Sequence, residues 1–349
     1  LLLAVLGLRN ACETPGLVYA SRKRPSHAAP LVPPAFVPPA LMAAPPARNL
    51  GGQPFSPPGE ATPMPPAWHK KGVQRPPGAD LMLALDQQIY PALLPFAMRW
   101  AKDKGIMLGA QEGTCGLASA AMSEKSADIT GMCCPPGIVD RLPQVQFHTI
   151  GISPVALIVH PGNPLKDVSW EQAQALFSGT AKTWSDLPMS GIASKGEVRA
   201  ITRLHCKPRP GHWHLLIGNP DDFARRAIDV PAIKDMIIEV SQTKDAIGWE
   251  TLYHISENAN RGQVKRLKVN GVDPADLQAA AMGRYPFYRV MGITTWKDGP
   301  AAHPLAEELA VYLLARAPEI DTRFGFVPAQ QLRQQGWKFK DNELIGERG

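Results

Sequence analysis

Seventeen of the chain's 36 prolines lie between Pro15 and Pro77. Proline has no backbone N–H to give a helix or a sheet ladder and its ring fixes φ, so a stretch this dense favours extended polyproline II. The folded part must therefore lie beyond it. Residues 21–78 are expected to form a disordered Pro-rich tether, reaching up to about 3.1 Å per residue. Residues 79–349 are expected to fold without it. Charge divides at the same place. Residues 1–78 hold eight Lys/Arg and two Asp/Glu, which accounts for the whole net charge of +6, and residues 79–349 hold 29 of each sign. A neutral body carries no electrostatic footprint for nucleic acid.

Residues 1–8 (LLLAVLGL) read as the remainder of a signal-peptide core, so residues 1–20 are expected to be a signal or anchor remnant. Cys12 after Ala11 fits an acylated anchor, although Arg9 and Asn10 stand where small or apolar residues precede such a Cys. The alternative is an ordinary cleaved signal or an uncleaved anchor. Either way the chain is expected to be exported, to the periplasm or the cell surface, and to meet a membrane only through this N-terminal anchor. No other apolar run approaches the roughly 20 residues of a span, which excludes a polytopic membrane protein.

In the body, short apolar runs alternate with helical periodicity. Residues 81–85 (LMLAL) read as a strand, 90–102 as a helix, 106–108 as a strand, and 113–116 as a turn into a small-residue helix at 117–122. A strand follows at 128–130, and 150–160 (IGISPVALIVH) is a long buried one. Ser169 and Gln172 have the spacing of a capping box, with Ala175, Leu176 and Phe177 as the apolar face behind it. Strands alternating with helices indicate an α/β fold with largely parallel sheets.

Four stretches then occur in a telling order. Ala127-Asp128-Ile129 runs on to Pro135; Leu176-Phe177-Ser178-Gly179 precedes Trp184-Ser185-Asp186; Asp245-Ala246-Ile247-Gly248-Trp249 follows. Tyr285-Pro286-Phe287-Tyr288-Arg289 and Phe324-Gly325-Phe326-Val327-Pro328 close the series. Together they resemble the phosphate-type periplasmic substrate-binding proteins of ABC importers. The resemblance implies a two-lobed, type 2 periplasmic-binding-protein fold with two crossing strands, near 151–160 and 248–253. Lobe 1 would hold 79–155 and 249–341, and lobe 2 would hold 156–248. It also implies a small ligand in the interlobe cleft, phosphate or a related oxyanion, passed to an ABC importer permease or a sensor, with no catalysis and no cofactor.

The same resemblance places the ligand loops. The first carries Gln87 and Gln88 where the family has a Ser/Thr run, and the second carries Thr114, Cys115 and Gly116. The third has Cys133 and Cys134 in place of a serine pair. The fourth opens on the expected Arg203, continues through Lys207 and Arg209, and offers Pro210-Gly211-His212 in place of Ser-Gly-Thr. All four body cysteines, Cys206 included, thus fall on loops expected to converge. Three readings stay open: disulfides, as is common in exported proteins; a soft-ion site (Zn or Cu) made by Cys115, Cys133, Cys134, His205, Cys206 and His212; or free thiols lining an anion pocket beside Arg203, Lys207 and Arg209. A soft-metal or thiol-redox protein on the same fold is the alternative function. Cys115 is expected within reach of Cys133 or Cys134, with Cys206 on the opposite wall. No CxxC, HExxH, GxSxG, GxxxxGK or GxGxxG pattern occurs, so no hydrolase or nucleotide signature competes.

Overall fold

The computed structural model describes residues 55–56, 73–187, 196–207 and 209–349. The first strand, β1 (Leu81–Asp86), is apolar up to its last residue and buried throughout, as a strand inside a parallel sheet must be. Helix α1 (Tyr90–Lys104) carries Pro91 in its first turn and stops at Gly105 in the left-handed conformation, φ 69°. Its apolar residues recur every three or four positions, so Leu93, Phe96, Ala97 and Trp100 share one buried face. Next come β2 (Leu108–Gly113), α2 (Cys115–Ser123) and β3 (Ile129–Met132). The three strands pair in parallel, in the order β2-β1-β3.

The long strand β4 (Val145–Val159) organises the rest. After it come β5 (Asp167–Val168), α3 (Trp170–Ser178), β6 (Arg199–Thr202), β7 (Ile228–Asp229), α4 (Ile233–Gln242) and β8 (Ala246–Thr251). The chain returns through α5 (Leu252–Glu257), β9 (Lys265–Arg266), β10 (Lys268–Val269), α6 (Leu277–Ala281) and β11 (Tyr288–Trp296). It ends with α7 (Pro304–Arg316), β12 (Val327–Pro328), α8 (Ala329–Gln334), β13 (Lys338–Lys340) and β14 (Glu343–Gly346). The main sheet runs β2-β1-β3-β11-β4-β8-β6-β7, with β9 and β12 also on β4. Residues 145–154 of β4 pair with β11, and residues 155–159 pair with β8. Pro154 stands at that changeover, where a missing N–H interrupts the ladder least. The expected crossing and return segments are thus β4 and β8, side by side.

Two apolar cores flank this axis. Leu83, Leu93, Trp100, Met122, Ile293 and Leu313 belong to one, and Leu157, Phe177, Trp184, Trp213, Met236 and Trp249 to the other. Ala280, Phe287, Val327 and Trp337, which sequence reading groups with the first lobe, pack into the second core. They do so because the start of β11 and all of β12 lie against β4 close to the changeover. The capping box of α3 forms as expected, with Gln172 N–H donating to Ser169 Oγ and Ser169 N–H to Gln172 Oε1.

Two pieces of the expected tether belong to the body instead. Phe55 is buried in the second core. Ser56 donates to the Pro136 carbonyl at 2.6 Å and accepts from Arg141 at 3.0 and 3.1 Å. Val73 packs with Met82, Ala84 and Ala127, and Arg75 grips Asp128 through two 2.7 Å bonds. A proline-rich backbone forms no ladder, but its apolar side chains can still be buried, and that is what the composition concealed. The expected signal remnant, Cys12 and the rest of the tether lie outside the described residues. No helix among the described residues is long and apolar enough to cross a membrane.

Candidate functional site

In open α/β sheets, ligands sit beyond the carboxyl ends of the parallel strands, where helix N-termini and loops face outward. Here β1 ends at Asp86, β2 leads to Cys115, β3 to Cys133 and Cys134, β6 to Arg203, and β8 ends on Glu250 and Thr251. Arg289 enters from the start of β11. These side chains meet in one buried cluster that draws on both halves of the sheet.

The thiols come closest together. Cys115 Sγ lies 3.3 Å from Cys133 Sγ, and the sulfur atoms of Cys115, Cys133 and Cys134 all lie within 4.8 Å of one another. All four body cysteines are free thiols. Cys115 is therefore within reach of its expected partners. Cys206 lies on the loop after β6 and packs against the first core, which holds the other three. The backbone turns it inward, at a φ of +58° that side-chain-bearing residues seldom adopt. Contacts with Cys115 and Cys134 pull the Cys206 thiol well below its ordinary pKa despite burial, and the same cluster pushes Cys134 well above.

Charges surround the sulfurs. Arg203 donates to Glu250 at 3.2 Å with both side chains buried. Burial alone would raise the Glu250 carboxyl, but Arg203 and Arg289 outweigh it and hold it at about 2. Arg209 grips Asp140 through two bonds of 2.6 and 2.7 Å, joining the loop after β6 to the segment after β3. Arg289 is fully buried and donates to Cys133 Sγ at 3.4 Å. Burial, with the Cys133 sulfur beside it, pushes Asp86 up to about 7. Burial and the Arg203 and Arg289 charges push His205 down to about 4, and burial and Arg289 push His212 well below its usual value. Three guanidinium groups thus face three carboxyl groups, one of them half protonated near neutrality.

Several of these groups lack hydrogen-bond partners. Gln88 Nε2, Arg203 Nε, and Arg289 Nε and Nη2 are buried donors with no acceptor, and both ring nitrogens of His212 are also unpartnered. Each such group costs roughly 1–3 kcal/mol unless something satisfies it. Gln88 is otherwise engaged, since its Oε1 accepts from Thr251 at 3.2 Å.

The structure sorts the sequence-selected residues clearly. It gathers Gln88, Cys115, Cys133, Cys134, Arg203, His205, Cys206 and His212. Arg209 is committed to Asp140, and Gly211 (φ +79°) makes the bend before His212. Thr114 is exposed and caps α2 through Leu117 N–H, with Gly116 in that helix's first turn. Gln87 is half-buried and Lys207 exposed. Sequence reading missed Asp86, Glu250 and Arg289 as site residues. The available signal was a charged residue closing an otherwise apolar strand segment, as in AIGWE and YPFYR. A cavity of about 330 Å³ lies elsewhere, lined in part by residues 141–148, and holds none of the selected residues.

No protein-family model matches the chain. Among curated proteins, it is 23% identical over 189 residues to the phosphate-binding protein PstS of Pseudomonas aeruginosa, covering 51% of this chain and 58% of that protein. PstS of Bacillus subtilis (strain 168) is 23% identical over 190 residues, covering 53% and 58% respectively. The chain thus matches little more than half the length of these relatives. Among solved structures, an ABC-type phosphate transport receptor from Vibrio cholerae aligns with TM-score 0.58 at 16% identity, covering 71% of this chain and 99% of that one. A substrate-binding protein from Clostridium perfringens, solved with bound phosphate, aligns with TM-score 0.59 at 14% identity over the same shares. The resemblance carried by the motifs is thus met again in both comparisons, and the chain has the periplasmic-binding-protein fold of the phosphate receptors.

Proposed function

We propose that this chain is an exported receptor that holds a small oxyanion of the phosphate class between its two lobes and delivers it to an ABC importer permease or a sensor. One observation carries the reading. The polar groups left unpartnered where the strand ends converge include four N–H donors, on Gln88, Arg203 and Arg289. Donors buried without acceptors call for an acceptor-rich ligand, and an oxyanion supplies several oxygen lone pairs at once. The similarity to PstS proteins and the fold of phosphate receptors support the same ligand class. Holding such a ligand makes and breaks no bonds and needs no resident cofactor. The lobes would be 79–155 with 249–341, and 156–248, parting where β4 changes partners and closing about that hinge. Acylation of Cys12 would then tether the receptor to a membrane.

Arg289→Gln tests this reading. Phosphate, arsenate and sulfate are titrated calorimetrically into the full chain. At least one should bind, and the variant should bind it about ten- to a hundredfold more weakly, the value of one charge-assisted bond. Heat from none of the three, or equal affinity in the variant, would remove the oxyanion reading.

A further inference from the structure

The thiols call for a ligand of another kind. We propose that Cys115, Cys133 and Cys134 form a trigonal site for one Cu(I) ion, with Cys206 closing over it from the other half of the sheet. The three sulfurs lie within 4.8 Å of one another and all three residues are buried. Sulfurs held about 2.3 Å from an ion at trigonal corners stand about 4 Å apart, so the set needs only small shifts. A disulfide between Cys115 and Cys133 would require their sulfurs to close from 3.3 Å to about 2.05 Å, and would remove two of the three ligands.

Coordination number selects the metal. Zinc in a closed site takes four ligands in a tetrahedron. Here three sulfurs lie within 4.8 Å of one another, and Cys206 packs against the same core without joining that set. Soft thiolates suit Cu(I) as well as zinc, and a set of three leaves zinc one ligand short. Binding is an exchange of protons for metal: three R–SH and Cu⁺ give [Cu(SR)₃]²⁻ and three H⁺, with no change of oxidation state. The product's two negative charges need nearby cations. Arg289 already donates to Cys133 Sγ, with Nε and Nη2 to spare, and the Arg209 charge acts on Cys115 and Cys206.

The arrangement also couples the site to lobe closure. Cys115, Cys133 and Cys134 belong to the first core, and Cys206, which follows β6 on the other side of β4, packs against that core. Cys206 and His212 both hold left-handed backbones, φ +58° and +51°, which keeps that loop bent toward the sulfurs. An ion held by the trio therefore has its cover supplied by the opposite lobe. The site draws on the same Arg289 donors as the oxyanion reading, so the two ligands would compete for them.

The test titrates the reduced, metal-free full chain with Cu(I), supplied as its acetonitrile complex, against the chelator bathocuproine disulfonate. One Cu(I) per chain should withstand the chelator, three thiols per chain should become unreactive, and X-ray absorption should show three sulfur neighbours. Cys115→Ser and Cys133→Ser should each lose affinity by more than the roughly 100-fold at most that an outer partner of a metal ligand is worth. Cys115→Ala, which preserves the apolar packing at the start of α2, should behave the same, and Cys12→Ser should bind as the parent does. Undiminished binding in folded Cys115 and Cys133 variants would overturn the site. So would a shell containing nitrogen, or preferential retention of Zn(II) through four sulfurs. A Cys115–Cys133 disulfide in protein purified without reductant would overturn it too.

Discussion

Asp86 and His205 lie in the same buried cluster and respond to pH in opposite directions. Asp86 titrates at about 7 in the folded protein against an ordinary 3.8, so between those values the folded state holds the extra proton. Its contribution to stability is complete below about pH 4 and is lost as pH rises to about 7. His205 titrates at about 4 against 6.5, so its contribution is complete above 6.5 and is lost as pH falls to about 4. Glu250, held at about 2 against 4.5, loses its contribution only below pH 4.5. In the wild type the first two trends largely cancel. Asp86→Asn removes one of them, so the variant should gain stability over the parent as pH rises from about 4.5 to 7.5, by a few kcal/mol at most. Urea midpoints at the two pH values check this. An equal difference at both would show that Asp86 is ionised throughout.

At the scale of elements, the pairing of β4 with β12 depends on one missing methyl group. A Cβ on Gly151 would stand 2.1 Å from the Val327 carbonyl oxygen and 2.6 Å from the Phe326 ring. Backbone cannot yield as a flexible side chain does, so Gly151→Ala should separate the two strands at a cost of about 1–3 kcal/mol or more. The melting temperature should fall, and amide exchange at Val327, which pairs with Ile152, should quicken. An unshifted melting curve would show that β12 contributes little. Other elements were legible before any coordinates. The Ser169–Gln172 box placed the start of α3 correctly because both partners lie within one helical turn. β2 was read at 106–108 but runs over 108–113, since its sequence, LGAQEG, is that of a half-exposed edge strand without an apolar signal.

At the scale of the whole molecule, the boundary of the folded body is testable by truncation. Removing residues 1–54 leaves every described residue in place. Removing 1–78 also takes away Phe55, the Ser56 bonds to Pro136 and Arg141, Val73, and the Arg75–Asp128 pair. Two buried apolar side chains alone represent about 3–6 kcal/mol. The shorter deletion should therefore melt like the parent, and the longer one should lose several degrees. Equal melting of both would return residues 55–78 to a tether.

The sequence alone determined what depends on short-range pattern: the proline-rich lead, the strand–helix alternation, the capping box, and the ordered motifs that pointed to the binding-protein fold. It also marked Arg203 and the sulfur-bearing loops, because those positions could be compared with a known pattern. Tertiary structure decided which of them meet. Arg289 reaches Cys133 across 156 residues, and Gln88 reaches Thr251 across 163. Such contacts are set by strand order and by the register of β4 against both β11 and β8, and no local periodicity encodes either. The inward turn of Cys206 likewise rests on a single left-handed backbone position in a loop without a glycine there. A residue type expresses its own backbone preference, but whether the packed structure overrides that preference depends on everything around it.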